Sequence, residues 1–213
     1  MITNFYKNQV IQICSEYAGV AHIGQFRKDK KTPYITHPAR VAHMVSQFLD
    51  GSKAYLYVAA GWLHDVMEDC SVIMNGDYST EIKNHSNGNK DIYKFLTTHD
   101  IISPADAHEI FRAVDALSMS QDKSSPKKER KKSYYRKLIR SGQGPVLVKA
   151  CDRIDNLLTA NVFSQQGFKW YLQDTANMME VLGDDIKSIS PEAYEMLEKT
   201  LEEGTAQYEE MYK

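Results

Sequence analysis

AYLYVAAGWLHDVMED, residues 54–69, is the stretch of sequence that decides the fold of this chain. Its first half is almost entirely apolar, as expected for a helix that lies in a protein core. Four groups that can carry charge follow at the end of the apolar run, namely His64, Asp65, Glu68 and Asp69. Because burying charge without a partner is costly, something must neutralise these groups, and a metal ion is the simplest candidate.

Helical periodicity extends over most of the chain. Apolar residues recur at steps of three or four, whereas strict alternation over the length of a strand is scarce. The pattern predicts an all-α helical bundle that forms a single domain over residues 1–213. A stretch rich in Asn, Gly and Ser predicts an irregular insertion around residues 70–102, and further helices are predicted around residues 167–212.

Local signals predict where several helices begin. Pro38, Pro104 and Pro145 are each predicted to lie in the first turn of a helix, where the missing N–H costs nothing. Ser103 is predicted to cap the helix that Pro104 opens. Residues 53–68 are predicted to form one helix that carries the polar groups of the opening stretch.

The composition excludes several classes of partner and compartment. Lys and Arg number 26 against 28 Asp and Glu, giving a net charge of -2, so we expect neither a DNA nor a membrane partner. The three cysteines lack the paired spacing of a zinc site and their odd number argues against a disulfide framework, which predicts a reducing compartment. With neither a spanning segment nor a signal peptide in the sequence, we expect a cytoplasmic protein, and its oligomeric state stays open.

Two other segments strengthen the prediction of a metal site in residues 54–69. An HD dipeptide alone is a weak signal, but His37 lies at a predicted helix start and Asp152 lies in a largely apolar helix. Together with His64 and Asp65 they form a mixed nitrogen and oxygen donor set. Such a set suits Mn²⁺, Fe²⁺ or a similar octahedral ion better than zinc, which more often takes cysteine or a tetrahedral set.

Four ordered blocks of sequence carry a resemblance to a known family. They are AHIGQFRKDKKTPYITHPARVA (21–42), AAGWLHDVMEDC (59–70), SYYRKLIR (133–140) and VLVKACDRIDNLLT (146–159). The chain resembles the HD phosphohydrolases, and within them the hydrolase domain of RelA/SpoT-type alarmone enzymes and their small stand-alone relatives. The resemblance implies an HD-domain helical bundle and an enzyme that removes the 3′-pyrophosphate from guanosine tetra- or pentaphosphate.

The resemblance also implies roles for individual residues. The implied Mn²⁺ ligands are His37, His64, Asp65 and Asp152, although another divalent transition metal stays open, and Glu68 with Asp69 is the implied pair that activates the attacking water. The implied contacts with the nucleotide are Arg27 or Lys28, Lys30, Asn156 and Thr159. Which of Arg27 and Lys28 stacks on the base stays open, because Arg27 lies ten positions before His37 where the family usually has nine.

Other departures from the family pattern leave rival functions open. Met119 stands where the family has a lysine, and Asp155 and Leu158 replace a histidine and an arginine. One rival is therefore a metal-dependent phosphatase of another nucleotide, such as NADPH or a 3′-phosphorylated adenosine nucleotide. A second is a nucleotide-binding regulator without turnover, against which the presence of Glu68 and Asp69 argues.

Two basic features have both a structural and a functional interpretation. The run KSSPKKERKKSYYRK (123–137) is either a solvated loop that enters an exposed helix face or a contact for phosphate or RNA, and the solvated face is the preferred interpretation. Arg153, next to Asp152, could pair with a ligating carboxylate or with phosphate, and a structural role is preferred.

Overall fold

Helices make up most of this computed structural model. It describes residues 2–70, 72–75, 79–82, 88–119 and 126–213. The α-helices are α1 (Ile2–Ala21), α2 (Thr36–Phe48), α3 (Ala54–Leu63), α4 (Val66–Asp69), α5 (Gly88–Thr98), α6 (Pro104–Leu117), α7 (Lys127–Ser141), α8 (Gln143–Leu158), α9 (Gln165–Ile189) and α10 (Pro191–Met211). A short 3₁₀ turn, Ala160–Val162, joins α8 to α9. The prediction of an all-α fold is confirmed.

The predicted insertion contains more regular structure than its composition indicates. Strands β1 (Val72–Asn75) and β2 (Ser79–Ile82) pair antiparallel, and α5 follows them. Ile92 and Leu96 of α5 are fully buried and lie one helical turn apart, which accounts for this helix within a polar stretch. The remaining residues of the insertion, 71, 76–78 and 83–87, lie outside the described part of the chain.

Two clusters of buried apolar side chains form the core. One lies among α1, α3, α5 and α6, and the other lies among α2, α7, α8, α9 and α10. Tyr57 and Trp62 of α3 pack against both clusters and so join them. Helix α8 is buried along most of its length and contacts α2, α3, α9 and α10, which makes it the central helix of the second cluster.

The predicted helix starts agree with the structure, because Pro38, Pro104 and Pro145 each lie in the first turn of a helix. Ser103 caps α6 by accepting a hydrogen bond from the amide of Asp106, and Pro104 is the first residue of that helix. Pro145 is the third residue of α8, which begins at Gln143. Among the described helices, none is both long and apolar enough to cross a bilayer.

The prediction of one helix over residues 53–68 is wrong, and the difference shapes the site. Helix α3 ends at Leu63, His64 and Asp65 form a turn, and α4 begins at Val66. The ring of His64 donates from Nδ1 to the carbonyl oxygen of Gly61 at 2.8 Å. In an uninterrupted helix that oxygen would accept from the amide of Asp65, so the side chain competes with the helical ladder where α3 ends.

Candidate metal centre

Three parts of the fold bring four ligand-type side chains together. His37 lies in the first turn of α2, His64 and Asp65 form the turn after α3, and Asp152 lies within α8. His37 Nε2 is 3.2 Å from His64 Nε2, 3.3 Å from Asp65 Oδ2 and 3.2 Å from Asp152 Oδ1. His64 Nε2 is 3.1 Å from Asp65 Oδ2 and 3.7 Å from Asp152 Oδ1. The structure thus brings together the residues that the sequence predicts as ligands.

The hydrogen bonds of the two histidines leave their inward nitrogens as acceptors. His37 donates from Nδ1 to Asp155 Oδ2 at 2.6 Å, and His64 donates from Nδ1 to the Gly61 carbonyl. In the neutral form each ring then points an Nε2 lone pair at the other ring and at two carboxylate oxygens. In that form four electron-rich atoms converge with no proton between them, and this donor set fits a divalent cation.

Electrostatics at this point of the molecule favour a positive charge strongly. Burial alone would lower the pKa of His37, but hydrogen bonds to Asp152, Asp155 and Asp65 outweigh it and raise that pKa to about 9. Burial would raise the pKa of Asp65, but His64 and His37 hold it well below its ordinary value. The cluster therefore attracts a cation, which a bound metal would supply in place of protons.

Further side chains hold the two carboxylate ligands. Asp65 Oδ2 accepts from the hydroxyl of Tyr34 at 2.7 Å. Asp152 Oδ2 accepts from Lys149 Nζ at 2.7 Å, and its Oδ1 accepts from Asn156 Nδ2 at 2.6 Å. Each carboxylate is thereby fixed in orientation, as is usual for side chains that bind a metal.

The structure describes the two predicted catalytic carboxylates to different extents. Glu68 lies in α4 beside the cluster, lines the same cavities as Asp65 and Asp152, and accepts from the amide of Met119 at 2.6 Å. The backbone of Asp69 belongs to α4, but its side chain lies outside the described part of the structure. Of the two predicted catalytic side chains, the structure therefore places that of Glu68 next to the candidate metal site.

The predicted nucleotide contacts divide into two groups. Arg27 Nη2 donates to Asn156 Oδ1 at 3.0 Å and to Thr159 Oγ1 at 3.2 Å, so these three residues, distant in sequence, lie together. Lys28 lines the same cavity as Arg27 and Asn156. Lys30 lies in an exposed turn with φ 57° and is not among the residues that line this cavity.

Asp155 contacts the candidate ligand His37, although in the sequence it stands out only as a departure from the family pattern. It is 1% exposed and accepts from His37, from Nε and Nη2 of Arg40, and lies 3.6 Å from Arg27 Nη2. Its spacing of three from Asp152 on α8, which places both on neighbouring faces of the helix, was the available signal. Arg153, in contrast, donates to Asp174 Oδ2 of α9 at 2.9 Å, so the carboxylate that it pairs with is not one of the predicted ligands.

Two adjoining cavities meet at the ligand cluster. The polar cavity, of about 320 Å³, is lined by Phe26, Arg27, Lys28, Tyr34 and Phe163, and the aromatic cavity, of about 250 Å³, is lined by Leu117, Met119, Lys131, Tyr134, Tyr135 and Trp170. Both are also lined by Asp65, Glu68, Lys149, Asp152, Asn156 and Tyr171. A ligand that reaches the metal centre can therefore extend to either side of it.

Known proteins resemble this chain in sequence and in fold. The chain is 28% identical over 155 residues to the human guanosine-3′,5′-bis(diphosphate) 3′-pyrophosphohydrolase MESH1, covering 72% of this chain and 71% of that protein. It is 29% identical over 164 residues to the protein of the same name from Drosophila melanogaster, with 76% of each chain covered. The predicted resemblance to the alarmone hydrolases is confirmed.

A solved structure resembles this chain in fold. It is described as a metazoan orthologue of SpoT that hydrolyses ppGpp and plays a role in starvation responses. The two chains superpose with a TM-score of 0.63 at 23% identity, over 91% of this chain and 94% of the other. The all-α HD-domain fold is therefore shown, although no protein-family model matches the sequence.

Proposed function

We propose that this chain hydrolyses guanosine tetra- or pentaphosphate, removes the 3′-pyrophosphate, and uses Mn²⁺ to do so. The observation that carries the proposal is the convergence of two imidazoles and two carboxylates beside Glu68, between two cavities that reach the same centre. The names of the sequence relatives support the choice of substrate.

The proposed ligands are His37, His64, Asp65 and Asp152. A donor set of nitrogen and carboxylate oxygen favours Mn²⁺ or Fe²⁺ over zinc. A divalent cation bound there supplies the Lewis acidity that lowers the pKa of water toward neutrality and offsets the negative charge of a phosphate.

Glu68 is proposed to accept the proton of the attacking water, with Asp69 as its partner. The water oxygen forms a bond to the phosphorus nearest the ribose, and the bond between that phosphorus and the ribose 3′-oxygen breaks. The 3′-oxygen leaves as a hydroxyl after taking up a proton, which the protonated carboxyl of Glu68 can return. Lys149, held against Asp152, places a positive charge where the phosphate oxygens would lie.

Arg27 is proposed to stack on the base. Its guanidinium is ordered by Asn156 and Thr159 and lies 5.6 Å from the centre of the Tyr34 ring, so its plane is fixed before a nucleotide arrives. Lys28, at the exposed side of the polar cavity, is proposed to attract phosphate, and Lys30 to act only through the charge of the loop.

A second candidate substrate has one observation in its favour. Met119 lines the aromatic cavity at the position where the resemblance leads us to expect a lysine. The loss of that charge favours a nucleotide with fewer phosphate groups than the alarmones, such as NADPH or a 3′-phosphorylated adenosine nucleotide. A nucleotide-binding regulator without turnover is a weaker alternative, since Glu68 lies beside the proposed ligands.

A release assay over a panel of nucleotides tests the proposal. Purified protein with added Mn²⁺ is given the guanosine alarmones, NADPH and 3′-phosphorylated adenosine nucleotides, and kcat/KM is compared. We expect the alarmones to rank first and the Asp152→Ala variant to lose both metal and activity. Full activity in a chelator would overturn the metal-dependent mechanism, and a kcat/KM ratio of alarmone to NADPH well below one would overturn the substrate.

The roles proposed for the basic loop are tested separately. Arg27→Ala and Lys28→Ala should raise KM with a smaller effect on kcat, which is the signature of lost ground-state binding. Lys30→Ala, in the same loop but away from the polar cavity, is the matched comparison and should change KM less. Equal effects of all three substitutions would assign the loop a general electrostatic role instead.

A further inference from the structure

Arg40 lies one turn after the candidate ligand His37 in α2 and pairs with the buried carboxylate of Asp155. It donates from Nε to Oδ1 and from Nη2 to Oδ2, the latter at 3.1 Å, so its guanidinium contacts both oxygens of one carboxylate. Oδ2 also accepts from His37 Nδ1 at 2.6 Å. A pairing through two parallel bonds fixes both the position and the plane of the groups that it joins.

A second arginine, Arg27, lies near the same carboxylate but bonds elsewhere. Arg27 Nη2 is 3.6 Å from Asp155 Oδ2, which exceeds the usual length of a hydrogen bond. The two protons of that nitrogen are directed instead to neutral acceptors, Asn156 Oδ1 at 3.0 Å and Thr159 Oγ1 at 3.2 Å. The plane of the Arg27 guanidinium is therefore set by an amide and a hydroxyl, although a buried carboxylate lies close by.

The hydrogen bonds that Asp155 already accepts explain why Arg27 keeps its neutral partners. A carboxylate oxygen has two lone pairs, and those of Oδ2 are taken by His37 and Arg40. Without the Arg40 guanidinium, the 1% exposed Asp155 would keep one hydrogen-bonding side chain among the described residues, that of His37. Because a buried charge with too few partners is costly, Arg27 would then move to Asp155 and give up its two neutral acceptors.

We propose that Arg40 is a positioning residue for nucleotide binding, because its pairing with Asp155 holds Arg27 in the plane in which the base stacks. The inference rests on the proposed function, since it takes Arg27 as the residue that stacks on the base. Arg40 acts through Arg27, so its removal weakens ground-state binding of the nucleotide and leaves the hydrolytic step itself intact. The bond between Asp155 and His37 does not involve Arg40, so the affinity for metal is retained.

Calorimetric binding of nucleotides to the Mn²⁺-loaded full chain tests the inference. The probes are guanosine 5′-diphosphate and adenosine 3′,5′-diphosphate, which represent the two classes of substrate proposed above. Arg40→Met keeps the aliphatic part of a side chain that is 44% exposed, and it should weaken binding of the preferred nucleotide about tenfold. Its Mn²⁺ affinity should stay within about twofold of the wild type, and in turnover assays KM should rise more than kcat falls.

Arg140→Met is the matched control. It makes the same substitution at an exposed arginine of α7 that lines neither the polar nor the aromatic cavity, and it should bind both nucleotides as the wild type does.

Removal of the carboxylate together with Arg40 separates positioning from a general loss of structure. The double variant Arg40→Met with Asp155→Asn has no negative charge to draw Arg27 away, so at saturating Mn²⁺ its nucleotide affinity should return to within about threefold of the wild type. Its Mn²⁺ affinity should equal that of Asp155→Asn alone.

The inference and the proposed function fail on different results. Unchanged nucleotide binding in Arg40→Met, a double variant no tighter than Arg40→Met, or a wild type that binds neither nucleotide would each overturn the role of Arg40. A loss in Arg40→Met that the double variant reverses, in a protein that does not hydrolyse the alarmones, would refute the proposed function and leave the role of Arg40 in place.

Discussion

A single buried carboxylate, Asp155, links the candidate metal to the candidate nucleotide site. It accepts from the ring of His37 on one side and from Arg40 on another, and lies within 3.6 Å of Arg27. A histidine whose outer nitrogen is held in this way keeps its inner nitrogen aimed at a metal. We therefore expect Asp155 to determine how tightly the metal is bound, although it is not itself a proposed ligand.

The first prediction concerns that carboxylate. Asp155→Asn keeps the size of the side chain but removes the charge that orients His37, so the affinity for Mn²⁺ should fall about 10- to 100-fold. Metal titration followed by calorimetry measures the effect without reference to activity. Asp184→Asn, an exposed position on α9, should bind metal as the wild type does. An unchanged affinity in Asp155→Asn would remove this residue from the metal site.

The second prediction separates chemistry from metal binding. Glu68→Gln should lower kcat by about 100- to 10,000-fold, because the amide cannot accept the proton of the attacking water. The metal content should stay at the wild-type level, since Glu68 is not among the four converging groups. Asp69→Asn is expected to act in the same direction. Normal turnover in both amide variants would place the general base elsewhere.

The sequence predicts the residues that carry chemistry better than the contacts that orient them. His64 and Asp65 are adjacent, and their order with His37 and Asp152 is readable along the chain. The bond between His37 and Asp155 joins positions 118 apart, and it exists only because α2 packs on α8. No local pattern encodes that approach, and the signal for Asp155 in the sequence is its spacing of three from Asp152.

At the scale of elements, the close approach of α2 and α3 sets the distance between the two proposed histidine ligands. Gly61 of α3 faces the backbone of α2, and a Cβ added to it would lie 3.0 Å from the Cα of Ala42. That contact is tighter than backbone atoms tolerate without a shift. Glycine at this position thus allows His37 on α2 and His64 after α3 to meet.

The third prediction follows from that packing. Gly61→Ala should lower the free energy of unfolding by about 1–3 kcal/mol, because one of the two helices must move, and should weaken metal binding as well. Gly19→Ala is the matched control, since its added Cβ on α1 meets nothing within 4 Å and alanine favours a helix. Chemical denaturation measures both variants. Equal stability of Gly61→Ala and the wild type would contradict the packing argument.

The break between α3 and α4 shows what periodicity misses at this scale. Apolar spacing continues through Val66 and Met67, so the pattern alone predicts one helix. The chain turns at His64 and Asp65 because a side chain bonds to a backbone carbonyl, which hydrophobic spacing does not register. His64 and Asp65 keep backbone angles in the right-handed helical region at this break, and the atoms of both side chains reach one centre.

At the scale of the whole molecule, the proposed metal would act as a cross-link. Its ligands come from α2, from the turn after α3, and from α8, and these elements belong to different parts of the two core clusters. Without a bound metal ion, the converging carboxylates and imidazoles are held together only by the protons of the imidazoles and by hydrogen bonds with neighbouring side chains. The stability of the entire fold should then depend on the metal.

The last prediction is that Mn²⁺ raises the melting temperature in proportion to the logarithm of its free concentration. A ligand present at 100 times its dissociation constant stabilises the native state by about 2.7 kcal/mol, which for a chain of this size corresponds to about 5–10 °C. Thermal melts in a chelator and at several metal concentrations measure the dependence. Asp152→Ala should melt at one temperature whatever the metal concentration, because it has lost a ligand that faces both histidines. A wild-type melting temperature that is the same with metal and with chelator would mean that these three elements are not joined by a cation, whatever the activity assay reports.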